Sequence, residues 1–292
     1  MRDLAGKTAF ITGGASGIGL AMAEAFGRAG MNIVIADIEA AALPAALRRL
    51  HMAGAQAVGV ETDVTSRASL IEAARLTTET FGSVHLVCNN AGVGVGGPMG
   101  HLAPSDWDWI IDVNLKGVIH GMEVFEPLIS RHGEGGHFVN TASVAGLIAP
   151  PTMEPYTATK YAVIGMSEGW AAQLAPRNIG MSILCPGFVP TQIARSERNR
   201  QAIYRETGLP TASTWPAPIE QTSAVPPDAV AARVVEAVRD NELYILTHME
   251  FRNLAALRFR KILAAFDRAA RSPALRALSV STLDERQESR ET

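Results

Sequence analysis

Short apolar runs recur along the chain, and stretches with the periodicity of amphipathic helices separate them. The runs occupy residues 7–12, 32–37, 55–61, 84–88, 137–141, 181–185 and 243–246. The helical patterns occupy residues 18–29, 39–53, 66–81, 105–132, 156–175 and 228–239. Strands that are buried on both faces read as continuous apolar runs. The alternation therefore predicts an α/β fold, with a doubly wound parallel sheet between two layers of helices.

A glycine-rich turn joins the first predicted strand to the first predicted helix. Residues 13–19 read GGASGIG, with the spacing G-x-x-x-G-x-G. Such a turn lets backbone N–H groups approach a pyrophosphate at the positive end of the helix. Asp37 ends the second run, where its carboxylate can accept hydrogen bonds from an adenosine ribose and repel a 2′-phosphate. No basic residue stands in the turn or directly after Asp37, so the pattern predicts NAD rather than NADP.

Polar and small residues directly follow several other predicted strands. Asp63 follows the third strand, Asn90 the fourth, Ser143 the fifth and residues 186–191 the sixth. Because the carboxyl ends of parallel strands share one edge of the sheet, these residues are expected in one ligand-binding crevice. An acid at the position of Asp63 could meet an adenine amino group there.

Tyr156 and Lys160 lie four residues apart in a predicted helix, so their side chains share one helix face. A nearby ammonium favours the phenolate and lowers the pKa of a tyrosine, and a bound, positively charged ring would add to that effect. Lowering the pKa by about 3 units takes about 4 kcal/mol. By itself the pair indicates either a general acid–base group or a chance pairing on an exposed helix face. Asn114, inside the 105–132 pattern, is a poor helix former and indicates either a solvent-facing residue or a local break that holds a water in an active site.

Composition and charge narrow the function classes. The chain has 292 residues, 47% of them hydrophobic, and a formal net charge of −3, which gives no reason to expect a nucleic-acid partner. Cys88 and Cys185 follow apolar runs and are expected to be reduced core thiols. The seven histidines show no metal-ligand spacing, so no metal is predicted. With neither a signal peptide nor a membrane-spanning run apparent, a cytoplasmic protein without a membrane partner is expected.

The order and spacing of these motifs resemble the short-chain dehydrogenase/reductase family. The resemblance covers about residues 5–248 and rests on Thr12-Gly13-x-x-x-Gly17-x-Gly19, Asn89-Asn90-Ala91-Gly92, Asn114, Ser143, Tyr156-x-x-x-Lys160 and Pro186-Gly187. It implies a Rossmann-type fold and hydride transfer between a nicotinamide cofactor and a carbinol or carbonyl carbon of a small-molecule substrate.

The resemblance also implies roles for individual residues. Tyr156 would be the general base for oxidation and the general acid for reduction. Lys160 would lower the Tyr156 pKa and bind the nicotinamide ribose, Ser143 would hydrogen-bond the substrate oxygen, and Asn114 would hold a water that links Lys160 to solvent. The expected NAD-binding residues are Gly13, Ser16, Gly17, Ile18, Gly19, Asp37, Ile38, Asp63, Val64, Asn90, Ala91, Gly92, Tyr156, Lys160, Pro186, Gly187, Val189 and Thr191.

Residues 188–227 form a long, irregular segment where such enzymes place a substrate lid. Its apolar residues, with those of two other loops, predict a site for a bulky apolar or aryl group. Residues 106–114 and 240–246 also resemble bacterial Cα-dehydrogenases that oxidise lignin-derived β-aryl ether alcohols, so an aryl secondary alcohol is the leading expectation. The expected substrate-binding residues are Ser143, Tyr156, Val95, Met153, Phe188, Ile193 and Trp215.

Two other functions remain open. A 3-oxoacyl thioester reductase would share the fold but usually prefers NADPH, which Asp37 disfavours. A non-catalytic dinucleotide-binding sensor could lack the tyrosine or the lysine, and this chain has both. Sugar-nucleotide epimerases and dehydratases of the extended relatives prefer G-x-x-G-x-x-G and a larger C-terminal domain, which this sequence does not have.

The expected organisation is a catalytic domain over residues 1–248, an amphipathic, basic extension over 249–283 and a polar tail over 284–292 that is expected to be disordered. The family resemblance implies a homodimer or homotetramer, formed through the helices predicted at 105–132 and 156–175.

Overall fold

A parallel sheet forms the centre of the protein. The computed structural model describes residues 1–205 and 223–275, and within these ranges seven strands pair in the order β3-β2-β1-β4-β5-β6-β7. All six pairings are parallel. The strands are β1 (Thr8–Thr12), β2 (Asn32–Asp37), β3 (Ala57–Glu61), β4 (Leu86–Asn89), β5 (Gly136–Thr141), β6 (Ile179–Cys185) and β7 (Tyr244–Leu246).

Helices connect the strands and cover both faces of the sheet. They are α1 (Gly17–Arg28), α2 (Leu43–Met52), α3 (Arg67–Phe81), α4 (Pro104–Ile111), α5 (Gly117–His132), α6 (Glu154–Leu174) and α7 (Pro227–Asp240). A further helix, α8 (Arg252–Ala270), follows the last strand. The predicted doubly wound α/β fold of the Rossmann type is thus confirmed. The strand order reverses between β1 and β4, which is where ligands bind in open sheets of this type.

The core lies in two layers, one on each side of the sheet. Alternate residues of a strand point to opposite faces, so Ile11 packs in the layer that contains α1 and α7, while its neighbour Phe10 packs in the layer that contains α3 and α5. Phe10 stacks on Phe125 of α5 with the ring centroids 4.3 Å apart. These layers fix the positions of the strand ends, and therefore of the crevice.

Local sequence explains where several elements begin. The Ser66 hydroxyl accepts a hydrogen bond from the Ser69 N–H at 3.3 Å and caps α3, as predicted. Pro44 lies in the first turn of α2, after a short 3₁₀ turn (Ala40–Ala42). A π-helical turn (Asp112–Lys116) separates α4 from α5. The local break indicated by Asn114 is therefore present, and such turns are frequent at functional sites.

The chain divides into two compact units, Met1–Glu250 and Phe251–Thr292. In the second unit, α8 leaves large apolar side chains exposed, among them Leu254, Leu263 and Phe266. This helix lies within the predicted extension at 249–283, whereas the predicted tail at 284–292 lies outside the described residues. No helix of the described ranges is long and apolar enough to cross a membrane.

Candidate active site

The glycine turn between β1 and α1 leaves the start of the helix open. Gly13 and Gly17 have φ angles of +63° and +54°, which side-chain-bearing residues rarely adopt. A Cβ at Gly19 would overlap the Gly13 carbonyl oxygen. The Ser16 hydroxyl makes no capping bond, so it leaves the first N–H groups of α1 to another acceptor. The turn therefore fits a phosphate group.

Asp37 is fixed beside this turn. Its side chain is buried, and one carboxylate oxygen accepts from the Ala15 N–H at 2.9 Å while the other accepts from the Glu39 N–H at 3.0 Å. These two bonds orient the carboxylate and leave further lone pairs for ribose hydroxyls. Ile38, which follows it, is half-buried.

Asp63 lies just past the end of β3. One carboxylate oxygen accepts from both the N–H and the hydroxyl of Thr65, at 2.9 and 2.8 Å. The other accepts from the Gln201 amide at 3.0 Å. Val64 is buried against Gly117, where an added Cβ would lie 2.8 Å from Val64 Cγ2. Both residues thus lie just past the end of β3, and their contact with an adenine stays a prediction.

Asn90 ties the ends of three strands together. Its amide donates to the Thr12 carbonyl oxygen at 3.0 Å, and the Thr12 hydroxyl accepts from the N–H groups of Asn90 and Ala91 at 2.9 and 3.0 Å. The Thr141 hydroxyl donates to Asn90 at 3.4 Å. These hydrogen bonds therefore hold the glycine turn and the loop after β4 against each other.

Asn114 is fully buried in the π-helical turn. Its side chain accepts from the Val93 N–H at 2.8 Å and donates to the Val93 carbonyl at 2.9 Å. Gly92 lies between the two predicted relay residues, because a Cβ there would be 3.3 Å from Asn114 Oδ1 and 3.8 Å from Lys160 Nζ. The Asn114 amide thus holds the loop after β4, and its role in a water relay stays a prediction.

Tyr156, Lys160 and Ser143 form a buried group at the same edge. Lys160 Nζ lies 5.4 Å from the Tyr156 ring centroid and donates to the Thr141 carbonyl at 2.8 Å. Burial lowers the pKa of Lys160 to about 8. Burial raises the pKa of Tyr156 to about 12, and a hydrogen bond with Ser143 acts in the opposite direction. Burial outweighs the Ser143 hydrogen bond, so the Tyr156 pKa stays above its ordinary value. Positive charge brought in by a ligand would lower it.

The loop after β6 closes the other side of this group. The Ser143 hydroxyl donates to the Pro186 carbonyl at 3.3 Å, and the Thr191 side chain lies beside Gly17, where an added Cβ would be 3.1 Å from it. Val189 is buried in the core layer of α1. The predicted nicotinamide end of the site is thus continuous with the glycine turn.

His248 holds this loop and was missed by the sequence reasoning. The buried ring accepts from the Gly187 N–H at 3.0 Å and donates to the Phe188 carbonyl at 2.9 Å. Its position two residues after the last strand, on the carboxyl edge, was the signal that could have identified it.

The expected substrate residues have different surroundings. Val95 is fully buried, and Met153 and Ile193 pack on the same apolar layer, which also contains Tyr156. Phe188 is half-buried. Trp215 lies outside the described residues.

One cluster of possible metal ligands occurs among the described residues, at the amino edge of the sheet opposite the glycine turn. The ligand atoms of His85, His132 and Glu134 lie within 4.8 Å of one another. His85 Nδ1 accepts from the Thr8 N–H and His132 Nδ1 from the Glu134 N–H, both at 3.2 Å. Their Nε2 atoms face Glu134 and the Val84 carbonyl, as donors would. With each Nδ1 accepting and each Nε2 donating, neither ring has a lone pair left for an ion, so the arrangement does not fit a metal.

Comparison with known proteins identifies the class. A family model described as short chain dehydrogenase matches residues 7–202, and the chain therefore belongs to the short-chain dehydrogenase family of oxidoreductases. Enzymes of this family act on small-molecule substrates and are generally oligomeric.

Individual relatives cover nearly the whole chain. A short-chain dehydrogenase/reductase from Burkholderia phymatum, solved in complex with NAD, is 40% identical, with a TM-score of 0.86 over 91% of this chain and 97% of that one. A C alpha-dehydrogenase from a Sphingobium species is 36% identical over 90% of this chain and 87% of that protein. A CLA biosynthesis dehydrogenase/reductase from Lactiplantibacillus plantarum is 35% identical over 90% and 95%. The predicted resemblance to Cα-dehydrogenases is thus confirmed.

Proposed function

We propose that the protein is an NAD-dependent oxidoreductase that interconverts a bulky apolar or aryl secondary alcohol and its ketone. The observation that carries the proposal is the buried Tyr156–Lys160 pair, with Ser143 bonded to Tyr156, beside the strand ends that hold the glycine turn and Asp37. Similarity to the Sphingobium C alpha-dehydrogenase supports the substrate class.

The residues at the crevice fit NAD. The open start of α1 suits a pyrophosphate, and the oriented Asp37 carboxylate suits a ribose diol but not a 2′-phosphate. NAD, when bound, supplies the carbon that accepts or gives the hydride. The related Burkholderia phymatum structure in complex with NAD supports this choice.

The chain's own residues transfer the proton and stabilise the negative charge on the phenolate and on the substrate oxygen. Protonated Tyr156, with its raised pKa, is already the acid that ketone reduction needs. Alcohol oxidation needs the phenolate, which a charged Lys160 favours. Ser143 can donate a hydrogen bond to the substrate oxygen as negative charge develops on it. We assign the general acid–base role to Tyr156, the charge-stabilising role to Lys160 and the oxygen-binding role to Ser143.

The apolar surroundings of Tyr156 support a bulky apolar substrate. Val95, Met153 and Ile193 share an apolar layer with it. Met153 and Ile193 are only partly buried, so an apolar substrate group can remove more of their surface from water. We extend the proposal to a cytoplasmic homodimer or homotetramer, assembled through α4, α5 and α6, without a membrane or nucleic-acid partner.

The first experiment is a spectrophotometric assay of NADH formation with secondary alcohols that range from small aliphatic to bulky aryl, with NAD and NADP in parallel. We expect turnover with aryl carbinols and NAD, and little with small alcohols. Turnover with 3-oxoacyl thioesters and NADPH, without any carbinol activity, would favour the thioester reductase. Tight NADH binding without turnover of any substrate would favour the sensor.

A matched pair of variants tests the catalytic tyrosine. Tyr156→Phe should lose turnover by roughly a thousandfold or more, because general acid–base catalysis alone contributes about 100- to 10,000-fold. NADH binding should stay largely intact in this variant. Tyr161→Phe changes a tyrosine of the same helix, one residue beyond Lys160, and should retain turnover. Activity of the Tyr156→Phe enzyme close to wild type would refute the assignment.

A further inference from the structure

Residues 193–204, here called the strap, leave the end of β6 and cross the carboxyl ends of other strands. Just before the strap, Thr191 lies beside Gly17, which follows β1. Arg198 and Asn199 of the strap contact Glu39, just past β2. Gln201 contacts Asp63, just past β3. In the sheet, β2 and β3 are separated from β6 by β1, β4 and β5. A dinucleotide that extends from the Tyr156 group to Asp37 and Asp63 follows the same path.

Glu39 forms the first contact between the strap and the adenosine end. Its Oε1 accepts from an Arg198 guanidinium nitrogen at 2.5 Å and from the Asn199 amide at 2.9 Å. The backbone N–H of Glu39 donates to Asp37, the predicted ribose acceptor. The Arg198 and Glu39 side chains remain 34% and 30% exposed, so this contact can open without disrupting the core.

Gln201 forms the second contact. Its amide nitrogen donates to Asp63 at 3.0 Å, and its amide oxygen accepts from the Trp109 indole at 2.9 Å. Because Trp109 is fully buried, the Gln201 amide has one orientation. It reaches the same Asp63 carboxylate that the sequence assigns to adenine.

Buried contacts anchor the strap on its other side. Arg200 is 3% exposed at its side chain, pairs with the equally buried Asp106 and lies 4.5 Å from the Trp109 ring centroid. The Gly94 N–H donates to Ser196 at 2.9 Å, and the Tyr204 hydroxyl donates to Asp112 at 2.7 Å. Removing one partner of a buried ion pair is strongly destabilising, so the Arg200 side of the strap is fixed. The exposed contact with Glu39 can open, and Gln201 reaches Asp63 from the fixed side.

We propose that the strap closes over the adenosine half of the dinucleotide crevice, and that its contacts with Glu39 and Asp63 set the rate at which the cofactor leaves. This inference rests on the proposed function, since it requires a dinucleotide at this edge. From the sequence, residues 193–204 belong to a predicted substrate lid, and this inference gives them a part in cofactor retention as well.

The test measures dissociation of NADH from the full-length protein by stopped-flow fluorescence. Glu39→Ala and Gln201→Ala should each raise the dissociation rate, by on the order of tenfold, because each removes hydrogen bonds to a charged group. Two matched controls use exposed residues near the strap: Glu61→Ala at the end of β3, and Gln192→Ala just before the strap. Both should match wild type.

Reduced nicotinamide mononucleotide, which lacks the adenosine half, separates this role from general damage to the fold. The strap variants should release it at the wild-type rate and leave the KM of the alcohol unchanged. Wild-type NADH release from both strap variants would overturn the inference and leave the proposed function intact, as would a rise confined to the KM of the alcohol. A wild-type protein that binds no NADH would overturn the proposed function itself, and the inference with it.

Discussion

Lys160 shows how burial sets the chemistry of a single residue. Its ammonium is removed from water and has one backbone carbonyl within hydrogen-bond distance, which explains why its pKa falls from 10.5 to about 8. Removing a charge from water costs free energy unless a partner compensates. The charged form of Lys160 therefore predominates below about pH 8, and a negatively charged ligand group beside it would extend that range.

The Lys160 shift predicts how stability depends on pH. Between about pH 8 and pH 10.5 the unfolded chain holds a proton on this lysine and the folded chain does not, so the free energy of unfolding rises with pH, by at most about 1.4 kcal/mol per pH unit. Lys160→Met lacks this contribution. Urea unfolding across the interval should show wild type gaining stability relative to the variant, and parallel curves would contradict the shift.

Asp37 carries the prediction on cofactor choice. Asp37→Ala removes the carboxylate that repels a 2′-phosphate, so the ratio of kcat/KM for NAD over NADP should fall, by roughly tenfold or more. Asp63→Ala removes a carboxylate predicted to contact the adenine. Because NAD and NADP share the adenine, this change should weaken the binding of both cofactors alike. An unchanged ratio in Asp37→Ala would show that Asp37 does not face the ribose.

At the scale of elements, the turn between β1 and α1 depends on the absence of a side chain. A Cβ at Gly19 would overlap the Gly13 carbonyl and lie 2.7 Å from the Asn90 amide. Gly19 has a negative φ, so this steric overlap, and not backbone strain, is what disfavours a side chain there. Gly19→Ala should therefore force α1 away from the strand ends, at a cost of about 1–3 kcal/mol, and should weaken NADH binding.

Met52→Ala, at the end of α2, is the control for that change. Met52 is 89% exposed, and alanine is at least as good a helix former as methionine. Urea unfolding and NADH titration of both variants should show a loss for Gly19→Ala only. An equal effect of the two changes would mean that the helix tolerates displacement at the glycine turn.

Local patterns in the sequence were sufficient to predict the elements and the residues at their ends. The apolar runs identified the seven strands found among the described residues, and the poor helix propensity of Asn114 indicated the π-helical turn. Contacts between distant segments could not be predicted in this way. Glu39 and Arg198 are 159 residues apart, and Arg200 and Asp106 are 94 apart. No periodicity relates such residues, because the order of the strands in the sheet brings them together.

At the scale of the whole molecule, α6 is the surface on which the proposed assembly depends. Its inner face carries Tyr156 and Lys160, whereas Ala158, Gly165 and Gly169 are exposed. Small side chains allow two helices to approach closely, and such an approach would bury the outer face of the helix that holds the catalytic pair. Assembly would then stiffen α6 and keep the distance between Tyr156 and Lys160 constant.

Gly169→Arg tests this assembly. A side chain at Gly169 has open space in the single chain, so the fold should be retained, while an unpaired charge in a helix–helix contact costs about 2 kcal/mol or more. Light scattering should show a dimer or tetramer for wild type and a smaller species for the variant. Met52→Arg places the same charge on α2, where Met52 is 89% exposed, and should leave the assembly unchanged.

A monomeric wild type would contradict the proposed oligomer, and an intact oligomer in Gly169→Arg would place the interface away from this face. If Gly169→Arg separates the subunits and also lowers kcat, the second effect follows from a less rigid α6 and should be reversed at protein concentrations that restore assembly.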